Sequence, residues 1–157
     1  MTKLLGALAV VVATLLGTFA PARGASAAGA AVCPPASLVY RVTRVEGAAG
    51  TFLIHLGVRT TRASCEVAGY PRLQLVGRAG PLPTHVRHGG LAILNRPARA
   101  VALGAARTAA LLVAYNGVPG GPSCPQGAAL LVGGVRVAVV TRACHGGRLL
   151  ESPFVAK

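Results

Sequence analysis

Four cysteines have the most distinctive chemistry in this chain: Cys33, Cys65, Cys124 and Cys144. A cysteine can act as a nucleophile, bind a metal or form a disulfide, and the cellular compartment favours one of the three. An even number of cysteines in an exported chain indicates disulfides. Four cysteines therefore predict two disulfides, and their number alone leaves three pairings open.

The first 27 residues have the features of a signal peptide. Lys3 supplies a positive start, Leu4–Phe19 is almost wholly apolar, and Ala25-Ser26-Ala27 matches a signal peptidase site. The apolar run has 16 residues, fewer than the ~20 of a membrane-spanning helix, so cleavage is favoured over an anchor. We therefore predict a secreted or cell-envelope-associated mature chain, residues 28–157, that forms one monomeric domain without a membrane span.

Three of the four histidines are candidates for metal binding, because His85-x-x-His88 and Cys144-His145 bring ligand types close together in the sequence. Proline and glycine residues bracket the first pair, so an extended backbone is favoured, and it would point the two rings to opposite sides. Zinc or copper needs three or four converging ligands. We predict no metal site and no cofactor.

Catalytic residues are scarce. The chain has no aspartate, and its three glutamates are Glu46, Glu66 and Glu151. No Gly-x-Ser-x-Gly pattern occurs, and Ser64, Ser123 and Ser152 lie beside cysteine or proline. Hydrolysis needs a nucleophile with an oriented base, or two carboxylates that face each other. We predict that the protein is not an enzyme and has no catalytic residues.

The predicted mature chain is strongly basic. Lys3 and Arg23 lie in the signal peptide, so 14 of the 16 Lys and Arg residues remain against three glutamates, a formal charge of +11. Such a charge suits an anionic polymer. A GC-rich genome would also favour Arg over Lys, but it would not explain the absence of aspartate. Few aromatic residues accompany the arginines, so no specific nucleic acid is expected.

Glycine and proline divide the chain into short apolar or alternating runs, and no run after residue 27 has a clear helical period. This pattern predicts an all-β fold, an immunoglobulin-like antiparallel β-sandwich with two disulfides. The predicted strands are Leu38–Val45, Thr51–Thr60, Arg72–Val76, His85–Arg87, Ala92–Leu94, Arg99–Leu103, Thr108–Tyr115, Ala128–Val132, Val135–Thr141 and Arg148–Glu151.

Two hairpins predict the pairing of the cysteines. In the first, partners whose numbers sum to 98 place Tyr40 opposite Val58 and sort apolar residues onto one face. The same register puts Cys33 opposite Cys65, and a sum of 268 around the glycines at 133 and 134 puts Cys124 opposite Cys144. Opposed residues lie ~4.5–5.5 Å apart, within reach of a disulfide. Each disulfide should contribute roughly 3–4 kcal/mol.

The other face of the first hairpin carries a candidate polyanion-binding stripe of Arg41, Arg59 and Arg62, close to His55. Arginines spaced along one sheet face can contact successive anionic groups of a polymer. The simpler alternative is an outer sheet face that only meets water. The stripe is therefore the candidate site for an anionic polymer.

The segment Cys65-Glu-Val-Ala-Gly69-Tyr70-Pro71, followed by an alternating strand, resembles the Cys-x-Leu-x-Gly-Tyr-Pro signature of secreted actinobacterial proteins with domain of unknown function 4232. The resemblance covers about residues 33–155, although Val67 replaces the usual Leu. It implies a secreted, disulfide-bonded β-sandwich and brings no established activity. Gly69 would supply positive φ, and Tyr70 would pack at a corner of the sandwich with its hydroxyl bonded to backbone. Either isomer of the Tyr70–Pro71 bond is open.

The sequence thus predicts a secreted, non-catalytic binding or structural protein of the cell envelope, whose partner is an envelope protein or an anionic polymer. One alternative is an adhesin that binds polyanions through arginine. Another is a small secreted enzyme or enzyme inhibitor that acts through the Val118–Gly127 loop, since loops carry function by their position.

Overall fold

The computed structural model describes residues 30–118 and 123–157, so the predicted signal peptide, residues 1–27, lies outside the described residues. The chain is all-β, as predicted, with one short helical turn at Cys144–Gly147 and a 3-10 turn at Pro35–Ser37. The strands of the described part are β1 (Leu38–Ala48), β2 (Thr51–Thr60), β3 (Ser64–Val67), β4 (Leu73–Gly77), β5 (Gly80–Pro81), β6 (His85–His88), β7 (Val101–Gly104), β8 (Ala109–Asn116), β9 (Gln126–Val132), β10 (Val135–Arg142), β11 (Arg148–Glu151) and β12 (Val155–Ala156).

The strands form two larger sheets and one small one. A six-stranded sheet has the order β1-β2-β8-β11-β6, and β12 also pairs with β8. A four-stranded sheet has the order β10-β9-β4-β5, and β3 pairs with β7. The two larger sheets share one apolar core, so the arrangement is sandwich-like. Immunoglobulin-like connectivity stays a prediction.

Strand β2 shows how the sequence builds the two faces of the six-stranded sheet. Ile54, Leu56 and Val58 alternate along the strand and are fully buried in the core. The residues between them point the other way, because successive side chains of a strand alternate between faces. We call the face turned away from the core the outer face.

The predicted registers hold only in part. Tyr40 pairs with Val58 as predicted, but a β-bulge at Thr43 shifts the pairing, so Arg44 lies opposite His55. In the β9–β10 hairpin, the predicted pairing, in which partner numbers sum to 268, is wrong beside the turn. It is correct only beyond an irregularity in the pairing between Ala138 and Thr141. Beside the turn, the observed register sets Leu130 opposite Val137, and both are buried. Burial of both partners explains why this register is preferred.

Both predicted disulfides, Cys33–Cys65 and Cys124–Cys144, are present. The first does not extend the β1–β2 hairpin as the prediction assumed. Cys65 lies on the unpredicted strand β3, and the segment before Cys33 runs parallel to it, with the Cys33 N–H donating to the Glu66 carbonyl at 2.8 Å. The second disulfide does close the β9–β10 hairpin.

Ala92–Leu94, predicted as a strand, forms a turn instead. Gly89 and Gly90 both have positive φ, and the Gly90 N–H donates to Asn95 Oδ1 at 3.1 Å, so the chain folds back on itself. The turn drives the fully buried Leu94 onto the outer face.

Candidate functional site

The outer face of the six-stranded sheet carries a large share of the basic residues. Arg59 lies at an outward-facing position of β2, next to the buried Val58. Cross-strand pairing places four more arginines on the same face: Arg41, Arg44, Arg87 and Arg148. All five side chains are exposed. An apolar cluster in the middle of this face separates two grooves that are lined by arginines.

The first groove, of about 180 Å³, lies over β1, β2 and the end of β8. It is lined by Val39, Arg41, Thr43, Gly57, Val58, Arg59, Thr108 and Lys157. Gly57 lies opposite Arg41, and its missing side chain keeps the groove open, since a Cβ there would approach Thr43 Cγ2 at 3.2 Å. The lining contains three cations and no glutamate.

The structure therefore brings together two of the three predicted stripe residues, Arg41 and Arg59. Arg62 does not line the groove, because β2 ends at Thr60 and the chain turns away there. The Arg62 N–H donates to Thr60 Oγ1 within that turn. The sequence prediction gave the correct strand, Thr51–Thr60, but assigned Arg62 beyond its end to the same face. It also missed Lys157, which reaches the groove from the other end of the chain.

His55 was predicted beside the stripe, but it belongs to an ion-pair cluster. Its Nε2 lies 2.6 Å from Glu46 Oε1, and Arg44 contacts the other carboxylate oxygen at 2.7 Å. Glu46 is thus already matched by the guanidinium of Arg44 and contacted by the imidazole of His55. Its charge opposes a bound anion less than a free carboxylate would.

The apolar cluster between the grooves is Leu94, Leu112 and Ala114, with Leu53, Leu91 and Leu150 packed around it. Leu94 comes from the turn after β6, whereas the others lie mostly on β2, β8 and β11. Because this cluster covers the centre of the outer face, a ligand meets the two ends of the face separately.

The second groove, of about 430 Å³, lies at the opposite end of the outer face. It is lined by Thr51, Arg87, Gly90, Leu91, Tyr115, Asn116, His145, Arg148 and Leu150. Sequence reasoning missed it because its polar residues come from β6, β8, β11 and the Cys144–Gly147 turn. The one available signal was His145 beside a disulfide cysteine.

The Gly-Tyr-Pro segment contributes Tyr70 to a cluster that also contains His88 and Glu151. Gly69 has φ +70° as predicted, and the Tyr70–Pro71 bond is trans. The Tyr70 ring stacks on His88 with centroids 3.9 Å apart, and His88 Nε2 lies 3.2 Å from Glu151 Oε1. The predicted hydrogen bond from the Tyr70 hydroxyl to backbone is absent among the described residues. Tyr70 packs as a corner residue through its ring alone.

Glu151 in this cluster is a buried carboxyl group, with its side chain only 2% exposed. Burial raises the pKa of Glu151 from 4.5 to about 7. Its Oε2 has no hydrogen-bond partner among the described residues. A neutral carboxyl group is therefore favoured at mildly acidic pH.

The described histidines and carboxylates do not converge on a metal. His85 and His88 lie on an extended strand, as predicted, with His88 directed toward Glu151. In residues 30–118 and 123–157, no three His, Cys, Asp or Glu side chains are grouped to hold a metal ion. Within the same residues, no helix is long and apolar enough to cross a membrane.

The Val118–Gly127 loop, the predicted site of an inhibitor or small enzyme, lies partly outside the described residues, which omit 119–122. Its described end is held by the Cys124–Cys144 disulfide. The Asn116 Oδ1 accepts from the Val118 N–H at 2.9 Å at the other end.

The fold and its grooves define a class: a two-disulfide, sandwich-like β protein with a basic outer face. The family described as "Domain of unknown function (DUF4232)" matches residues 33–147. The chain belongs to this family. No curated protein and no solved structure matches it.

Proposed function

We propose that this protein is a non-catalytic binding protein of the cell envelope whose first groove holds the anionic groups of a polymer. One observation carries the proposal: Arg41, Arg59 and Lys157 line the same groove, and no glutamate lies among the lining residues. The protein acts as a secreted monomer in this account.

The two guanidinium groups suit sulfate, phosphate or carboxylate groups, because a planar guanidinium can donate two parallel hydrogen bonds to such an anion. The Thr43 hydroxyl in this groove is already engaged, since it donates a hydrogen bond to the His55 carbonyl at 3.1 Å. The groove is shallow and its arginines are exposed, so binding should weaken as salt screens the charges.

The disulfides support export, and the surroundings of two glutamates support the absence of catalysis. Two disulfides are typical of proteins from oxidising compartments. Glu46 is engaged by Arg44 and His55, and Glu151 is buried against His88. Neither carboxylate is paired with a nucleophilic hydroxyl in the described residues, whereas general acid–base catalysis needs such positioned groups.

Chromatography on immobilised heparin, used as a model polyanion, tests the proposal. Arg41→Glu combined with Arg59→Glu should lower the salt concentration of elution strongly, because each lost charge-assisted contact weakens binding by about tenfold. Arg78→Glu combined with Arg136→Glu is the matched control. It makes the same change in net charge at exposed positions away from both grooves.

The control double variant should elute close to the wild-type protein, and circular dichroism should show that both variants are folded. If the two double variants lose retention equally, net charge alone governs binding and the first groove is not the site. If Arg41→Glu with Arg59→Glu leaves retention unchanged, the proposal is wrong.

A further inference from the structure

The second groove lies on the same outer face as the first but is a separate feature. Gly57 of the first groove and Thr51 of the second are six residues apart on β2, a distance of about 20 Å along the strand. The apolar cluster around Leu94 covers the surface between them. A ligand of the second groove therefore needs no contact with the first.

Strand pairing places two arginines side by side in this groove. Arg87 pairs with Leu150, and Arg148 lies two residues before Leu150 on the same strand. Partners across a sheet and residues two apart on one strand share a face, so Arg87 and Arg148 point into the same space. Neither forms an ion pair or a side-chain hydrogen bond with another described residue.

The polar groups that line the groove are mainly donors. Asn116 Oδ1 accepts from the Val118 N–H at 2.9 Å, which orients the amide, and its NH₂ group can donate to a ligand. His145 adds an exposed imidazole, and Thr51 adds a hydroxyl. No glutamate lines the groove. A lining with this composition is suited to an anion.

His145 is held in place by its backbone. It has φ +55°, a left-handed conformation that a residue with a side chain adopts at some cost in energy. The neighbouring Cys144 is fixed by its disulfide to Cys124, and the Gly146 N–H donates to the Ser123 carbonyl at 3.2 Å. The turn therefore presents His145 at a defined position beside Arg148.

The size of the groove indicates more than a bare ion. A volume of about 430 Å³ falls within the range of small-molecule sites, roughly 300–1,000 Å³. Leu91 and Leu150 form an apolar part of the wall. An anionic head would meet the arginines while a carbon body lies against this wall.

We propose that the second groove is a binding site for a small ligand with a phosphate monoester on a short carbon body. A phosphate monoester carries close to two negative charges at neutral pH and three acceptor oxygens, which match two guanidinium groups with an imidazole and an amide beside them. A carboxylate has one charge and two oxygens, so it leaves one arginine unmatched.

Calorimetric titration of the full mature chain with glycerol 3-phosphate tests the site. We expect saturable binding at one site, weaker binding of inorganic phosphate, and no binding of glycerol. Arg87→Gln combined with Arg148→Gln should weaken binding at least tenfold. Arg41→Gln combined with Arg59→Gln should change it less than twofold, which separates this site from the polymer groove.

Vesicles with and without phosphatidic acid form a second arm that identifies the source of the phosphate. Binding of vesicles that depends on Arg87 and Arg148 supports a lipid headgroup, whereas binding of only the soluble ester supports a free metabolite. The proposal is overturned if neither glycerol 3-phosphate nor phosphatidic acid saturates the protein by about 10 mM, a concentration that corresponds to negligible affinity. It is also overturned if the Arg87 and Arg148 double variant binds like wild type.

Discussion

The outer faces of the two larger sheets differ in how they carry basic residues. On the six-stranded sheet, Arg41, Arg59 and Lys157 share one groove and Arg87 and Arg148 share another. On the four-stranded sheet, β10 carries Arg136 and Arg142 at its two ends, with the exposed Val140 between them.

This difference bears on the origin of the charge. A compositional bias toward arginine acts on both sheets alike and would spread the cations evenly. Clustering on one sheet, around grooves without glutamates, favours selection for an anionic ligand there. The four-stranded sheet therefore serves as an internal control for the polyanion-binding tests of the six-stranded one.

The largest expected effect concerns the apolar cluster that divides the basic face. Leu94 is fully buried there, whereas Ile93 beside it is 41% exposed. Leu94→Ala should lower the free energy of unfolding by about 3 kcal/mol, because it removes buried methyl groups and leaves a cavity. Ile93→Ala should cost less than about 0.5 kcal/mol. Urea unfolding measures both, and similar values would mean that the cluster does not anchor the turn.

A second prediction concerns pH and Glu151. The pKa of Glu151 is about 7 in the folded protein and 4.5 ordinarily, so between these values the folded state holds a proton that the unfolded state has released. Stability should therefore fall as pH rises from 4.5 to 7, by roughly 3 kcal/mol in total, and then level off. His88 and Tyr70 are the titratable side chains in this cluster.

Glu151→Gln should abolish this part of the pH dependence in urea unfolding. Glu46→Gln is the control, because Glu46 also contacts a histidine but is 36% exposed. It should keep the wild-type decline between pH 4.5 and 7. Parallel profiles for wild type and Glu151→Gln would show that Glu151 is not the group responsible.

The smallest expected effect comes from Glu46 on the basic face. Its contacts with Arg44 and His55 lie at the surface, so Glu46→Gln should cost at most about 1 kcal/mol of stability. It should also strengthen binding to heparin a few-fold, because it removes the negative charge on this face. Weaker binding would mean that Glu46 positions a cation the polymer needs.

The sorting of residues between the two faces of the first hairpin was predictable. Burial of alternate residues fixes the register, so Tyr40 lies opposite Val58. The bulge at Thr43 was missed, because the inward positions change there from Tyr40 and Val42 to Val45, and the prediction continued a single alternation through it. Ala92–Leu94 was mistaken for a strand because a short apolar run looks the same in a strand and in a turn that buries one leucine.

The first groove was partly predictable, because Arg41 and Arg59 lie on the two strands of one hairpin. Lys157 and the second groove were not, since their residues meet only through long-range pairing of β8 with β11 and β12. The disulfide pairing of Cys33 was predicted correctly from an incorrect strand arrangement. Proximity of two cysteines does not reveal which backbone path brings them together.

The salt dependence of binding to a fluorescent heparin fragment tests the central claim most directly. For a site that releases counterions, the logarithm of affinity falls linearly with the logarithm of salt concentration, and the slope counts the contacts. Arg41→Gln with Arg59→Gln should make the slope shallower by about two, whereas Arg78→Gln with Arg136→Gln should leave it unchanged. Equal slopes for the two double variants would contradict a polyanion site on the six-stranded sheet.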